Sequence, residues 1–217
     1  MRSGAIGSSY GLSTNPEGCL WSVSGHANHF ESVSIQKVLQ CAHATAGGET
    51  HRCRVLQMPL NLLELGGAMG YEPLSGSPPT AEGEMVPSAL RQARAAGMSV
   101  MVNRPLKAIP PLGQASRHLN LGQEPQAGEG DIREAILAAL RGAGVGSQAD
   151  ATLAQLALWL AASTHGVDVA LCQASSPQHR DALAAVYGWP RAPETAVWEA
   201  FDLVLDQIDA LRARHGK

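Results

Sequence analysis

The chain has 217 residues, 45% of them hydrophobic, enough for one sizeable core and marginal for two independent ones. Charged residues are 16% of the chain, and 16 Lys+Arg against 19 Asp+Glu leave a formal charge of -3, which argues against nucleic acid as a partner. A mean hydropathy of -0.06, with no apolar run of about 18 residues, argues against a membrane-spanning helix.

In chain order, the first apolar run is Ile6 to Leu12, which reads as a strand. Ser34 to Thr45 follows as a helix, with Ser34 as its N-cap and Ile35, Val38, Leu39 and Ala42 on one face. Arg54 to Met58 is the second strand candidate, Val86 to Ala96 a helix, and Ser99 to Val102 the third strand. Helical spacing then covers Asp131 to Gly142 and Ala151 to Thr164, before a fourth strand candidate at Val167 to Cys172. Pro177 opens a helix that runs to Tyr187, a favoured place for proline. The last helix, Thr195 to Arg214, carries Val197, Phe201, Val204, Leu205, Ile208 and Leu211 at spacings that fall on one face. Two stretches break the rhythm, Gly66 to Pro87 and Ile109 to Gly130. Both are rich in Gly and Pro and long for connections, so they read as functional loops, lids or disordered stretches.

Short apolar strands alternating with helices describe an α/β protein with a parallel sheet. The four cysteines, Cys19, Cys41, Cys53 and Cys172, include no C-x-x-C pair. With no hydrophobic stretch at the start, reduced thiols and an intracellular setting, cytoplasm or an organelle matrix, are expected. Cys172, inside an apolar strand candidate, reads as a small core residue. Cys41-x-His43 and His51-x-Cys53 place two thiols and two imidazoles within 13 residues. Their x-one spacing is strained for zinc, whose ligand pairs are usually two to four residues apart, so no metal site is expected. His26-x₂-His29 is weaker still. No G-x-S-x-G, P-loop or Rossmann fingerprint is present.

Four segments in succession resemble the aldo/keto reductases: Tyr-Gly-Leu-Ser-Thr-Asn at Tyr10 to Asn15, Val-Leu-Gln-Met-Pro-Leu-Asn-Leu-Leu-Glu at Val55 to Glu64, Gly-Met-Ser-Val-Met-Val-Asn-Arg-Pro-Leu at Gly97 to Leu106, and Gly-Val-Asp-Val-Ala-Leu-Cys-Gln-Ala-Ser-Ser-Pro-Gln-His at Gly166 to His179. In that family they are the fifth to eighth strands of a (β/α)₈ barrel. The resemblance covers about residues 6 to 185 and only the second half of a fold that takes roughly 250 residues. It implies half of a TIM-type barrel over residues 1–189, four parallel strands with helices, followed by a C-terminal amphipathic helix over residues 190–217.

The family's catalytic Asp, Tyr, Lys and His come from the second to fourth strands, so the resemblance implies no catalytic residues here. It implies a cofactor, NADP or NAD. Ser13 and Asn15 would hold the nicotinamide carboxamide, with Gln57 on the same group. Asn103, Arg104 and Leu106 belong to the cofactor site after the third strand, Asn103 standing where many members place an aromatic. Gln173 replaces a family glycine, and Asp181, Ala182 and Leu183 occupy the adenine-binding positions.

The residues themselves support a phosphate place at Ala174 to Pro177. Helix N-termini offer unpaired backbone N–H groups, and barrels bind phosphate in the loops after their last strands. Ser175 and Ser176 supply hydroxyls, and Arg180 lies one turn further. Each residue also has a structural role open to it. Ser175 or Ser176 would cap the helix, Ser13 and Asn15 would satisfy a turn before Pro16, Gln57 would bond within the sheet, and Arg104 would pair with an acid.

Three functions are compatible with these features: the cofactor-binding half of an oxidoreductase completed by a partner, a non-catalytic scaffold subunit, or a truncated product of an ordinary reductase. In the first two, a homo-oligomer or a complementing chain is expected to cover the open half-barrel.

Overall fold

The computed structural model describes residues 9–13, 35–47, 50–69, 87–107, 119, 128–145, 148–174 and 176–215. Strands β1 (Tyr10–Ser13), β2 (Cys53–Pro59), β3 (Ser99–Asn103) and β4 (Val169–Ala170) form one parallel sheet in the order β1-β2-β3-β4. Helices α1 (Ile35–Thr45), α2 (Ala89–Ala95), α3 (Glu129–Gly142), α4 (Leu153–Ser163), α5 (Pro177–Tyr187) and α6 (Glu194–His215) lie between and after the strands. The α/β class and parallel sheet expected from the alternating pattern are present, and every expected helix is found within three residues of its expected ends. Ile6 to Ser8, the start of the first strand candidate, and the Ser34 cap lie outside the described residues, as do His26 and His29.

The described chain divides into two compact units, one of Met1–Pro59 with Glu64–Met101, the other of Leu60–Leu63 with Val102–Lys217. In the first, β1 and β2 pair in parallel, Gly11 opposite Val55, Leu12 opposite Leu56 and Ser13 opposite Gln57. The pairing explains Gly11. A Cβ there would stand 2.7 Å from both the Cβ and the carbonyl oxygen of Val55. Helix α2 begins three residues later than the pattern suggested because Ser88 serves as its cap, its hydroxyl accepting from the Arg91 N–H at 3.1 Å. Gly97 ends it at φ 69°, a conformation that glycine adopts without a side-chain penalty.

In the second unit, α6 lies along α3, burying Ala196, Val197, Ala200, Phe201, Val204 and Ile208. Helix α4 is buried almost all round, and a capping box starts it: Gln155 N–H donates to Thr152 Oγ1 while Thr152 N–H donates to Gln155 Oε1. Beyond it, the Trp159 indole N–H donates to the Pro190 carbonyl at 2.9 Å and its ring meets Trp189 edge-on at 5.4 Å. These contacts tie the turn before α6 to the core.

The fourth strand departs from expectation. Six apolar-rich residues suggested a buried strand, yet only Val169–Ala170 is strand, joined onward by Leu171 N–H donating to the Val102 carbonyl at 2.7 Å. Cys172 lies past the strand end and is exposed, so it is not a core residue. The reason is positional. Among the described residues no strand pairs with the far side of β4, and apolar composition alone does not bury a side chain.

Candidate functional site

In the first unit, Ser13 is the last residue of β1 and exposed, and its register partner Gln57 lies half-buried near the end of β2. The sequence assigned both to one ligand group, and the pairing makes them neighbours. Asn15, assigned with them, lies outside the described residues.

In the second unit, Asn103 ends β3 and Arg104, Pro105 and Leu106 form the turn that follows. Lys107 N–H donates to the Arg104 carbonyl at 2.9 Å, and the Leu106 carbonyl accepts from Leu119 N–H at 2.7 Å. Leu60, directly after β2, donates its N–H to the Asn103 carbonyl at 3.2 Å. Two features of this turn are energetically unfavourable. Arg104 has φ 58°, the one non-glycine residue with positive φ among those described. Neither its branched-free side chain nor the following proline favours that region, and such conformations cost of order 1 to 3 kcal/mol. Beside it, Asn103 Oδ1 is buried with no hydrogen-bond partner among the described residues. A buried acceptor left unmade costs about 1 to 3 kcal/mol. Strain and an unpartnered acceptor thus fall on consecutive residues directly after a strand of a parallel sheet, the kind of position where α/β folds in general place their ligand sites.

At the start of α5, Ser176 is the cap. Its hydroxyl oxygen accepts from His179 N–H at 3.1 Å, and Pro177 holds the first helical position. The hydroxyl proton stays available for an anion. Ser175 lies outside the described residues. Arg180 is exposed, with Nε donating to Asp181 Oδ1 at 3.2 Å. That contact spends part of the guanidinium on a residue at an expected adenine-binding position. Leu183 faces inward and is buried.

The expected residues therefore form three groups: Ser13 with Gln57, Asn103 with Arg104 and Leu106, and Ser176 with Arg180.

Asn61 and His179 are among the buried polar side chains of the second unit that sequence reasoning passed over. Asn61 is buried just after β2, its Oδ1 accepting from Leu63 N–H at 3.0 Å, a local turn that shapes the segment reaching Asn103. His179 is buried on the inner face of α5, with Nε2 unpartnered among the described residues. The signal for each was a polar residue at an otherwise apolar position of the segments quoted above.

The Cys-His cluster resolves differently. The His43 and His51 rings meet edge-on at 4.3 Å, joining the end of α1 to the residues before β2. No group of three or more His, Cys, Asp or Glu suited to a metal occurs among the described residues. No helix among them is long and apolar enough to cross a membrane. No protein-family model matches the chain, and no curated protein does.

Proposed function

We propose that this chain is the nicotinamide-cofactor-binding half of an aldo/keto-reductase-like oxidoreductase, one that positions NADP or NAD and leaves the proton-transfer residues to another chain. The observation that carries it is the pairing of a left-handed Arg104 with the orphaned Oδ1 of Asn103 at the end of β3. An acceptor buried without a donor fits a ligand that brings one, and the hydroxyls and amide of a nicotinamide nucleotide are such donors. The cap at Ser176 and the cation at Arg180 suit the pyrophosphate or a 2′-phosphate, since helix N-termini and guanidinium groups both favour anions. Ser13 and Gln57 are the residues that the resemblance gives to the carboxamide. When bound, the cofactor supplies the hydride. This chain's own residues orient it and hold its charge.

Calorimetric titration of the purified chain with reduced cofactor tests the reading. Wild type should bind, Asn103→Ala should weaken binding about tenfold or more, and Arg180→Ala by roughly 10- to 150-fold, as charge-assisted bonds of about 1.5 to 3 kcal/mol imply. If wild type shows neither heat nor a melting shift at millimolar cofactor, the site is vestigial and the scaffold reading replaces this one.

A further inference from the structure

Among the described residues, a sheet in the order β1-β2-β3-β4 leaves β1 and β4 with a neighbour on one side only. The exposed apolar side chains gather there. Of the five large hydrophobic residues exposed among those described, Tyr10 lies on β1, Val169 on β4 and Leu171 directly after it, at 54, 43 and 38% exposure. From Asp168 to Ala174 every residue is exposed except Ala170, which is half-buried. Soluble proteins normally blunt such edges with lysine, proline or a bulge. Tyr-Gly-Leu-Ser on one edge and Val-Ala-Leu-Cys on the other contain neither lysine nor proline, and the one irregularity of β1, a register shift between Tyr10 and Gly11, leaves Tyr10 exposed.

We infer that a second copy of this chain covers both edges, β4 of each copy pairing in parallel with β1 of the other. Count and direction select this occupant. Among the described residues, β1 is the other open edge, and it can accept β4 while keeping every strand parallel. Two copies joined head to tail give eight parallel strands in continuous order, the number at which such a sheet closes into a barrel and loses its edges. The inference rests on the sheet and its exposed edges, not on the reductase reading, so cofactor titration and association measurements fail independently.

Light scattering on the full chain at micromolar concentration should return twice the mass of 22.7 kDa. Val169→Lys with Leu171→Lys should break one edge and Tyr10→Lys the other, each weakening self-association about tenfold or more, as the burial of large apolar side chains implies. Mixing the two variants should restore a two-copy species, because one intact β4 edge then meets one intact β1 edge. Circular dichroism checks that these surface variants keep their helices. A monomeric wild type overturns the inference, and so does a Tyr10→Lys variant that associates as tightly as wild type. Absence of recovery on mixing folded variants overturns it too. Should either variant fail to fold, the wild-type mass decides.

Discussion

On the proposed reading, Asn103 separates what a residue does for the fold from what it does for a ligand. With Oδ1 buried and unpartnered among the described residues, it opposes folding in the free protein. Asn103→Leu is therefore expected to raise stability by up to about 1 kcal/mol while weakening cofactor binding, measured by denaturant unfolding beside the titration. A loss of stability would show that the side chain is a structural bond. His51 works through protonation. Burial holds its pKa below 6.5, with His43 and then Arg54 adding repulsion to the charged form. The unfolded chain thus takes up the proton at higher pH than the folded one. The stability this histidine contributes is intact above pH 6.5 and is lost as pH falls through the lower folded value. Thermal melts from pH 8 to about pH 4.5 should show wild type declining more steeply below about pH 6.5 than His51→Gln. Parallel curves would remove His51 from the account.

At the scale of elements, the caps should be measurable one at a time. Thr152→Ala breaks the box that starts α4 and should cost about 1 kcal/mol with no effect on binding. Ser176→Ala should cost a similar amount and, on the proposed reading, weaken cofactor binding as well, because the cap hydroxyl would then serve both. Arg180→Ala should leave stability nearly unchanged, since its pair with Asp181 is exposed and such pairs contribute little. Thiol labelling reports on the strands. Cys41 should react readily in the native protein, and buried Cys53 only on unfolding. Cys172, exposed beside the open β4 edge, should label faster in the Val169→Lys, Leu171→Lys variant than in wild type if a second copy covers it. Helices were legible in the sequence because Ser176-Pro177 and the spacing along α6 each have a local cause, while the Thr152–Gln155 box that starts α4 emerged only from the structure. The fourth strand was misread because its apolar run shows what its environment must supply, not whether this chain supplies it.

Across the whole molecule, the alternating pattern made the α/β class and its parallel sheet legible. It carried no sign of the division into two units, which depends on packing between distant segments such as Leu60–Leu63 and the residues from Val102 on. The site was legible as residue types and illegible as geometry. Arg104 gives no hint of φ 58°, and an unmade bond at Asn103 cannot be seen in a string of letters. Neither could the meeting of His43 and His51, which the spacing of ligand residues had framed as a question about metal. By the reading proposed above, the purified chain should not oxidise reduced nicotinamide cofactor in the presence of aldehydes, because it lacks a positioned proton donor. General acid catalysis is typically worth about 10² to 10⁴ in rate. Spectrophotometric turnover near 1 s⁻¹, an ordinary enzyme rate, would place the chemistry inside this chain.

The strand order also bears on how the chain reaches its fold during synthesis. Spatial order equals chain order, so each emerging strand finds the preceding one already made and never has to wait for a later strand to be inserted between them. The protein can therefore condense one strand and helix at a time from the amino terminus, as domains do at translation rates of roughly 5 to 20 residues per second. Its β4, short and last in the sheet, is added when the others are in place. Until something joins that end, the growing sheet presents to the surrounding cell a strand whose backbone is still able to accept another.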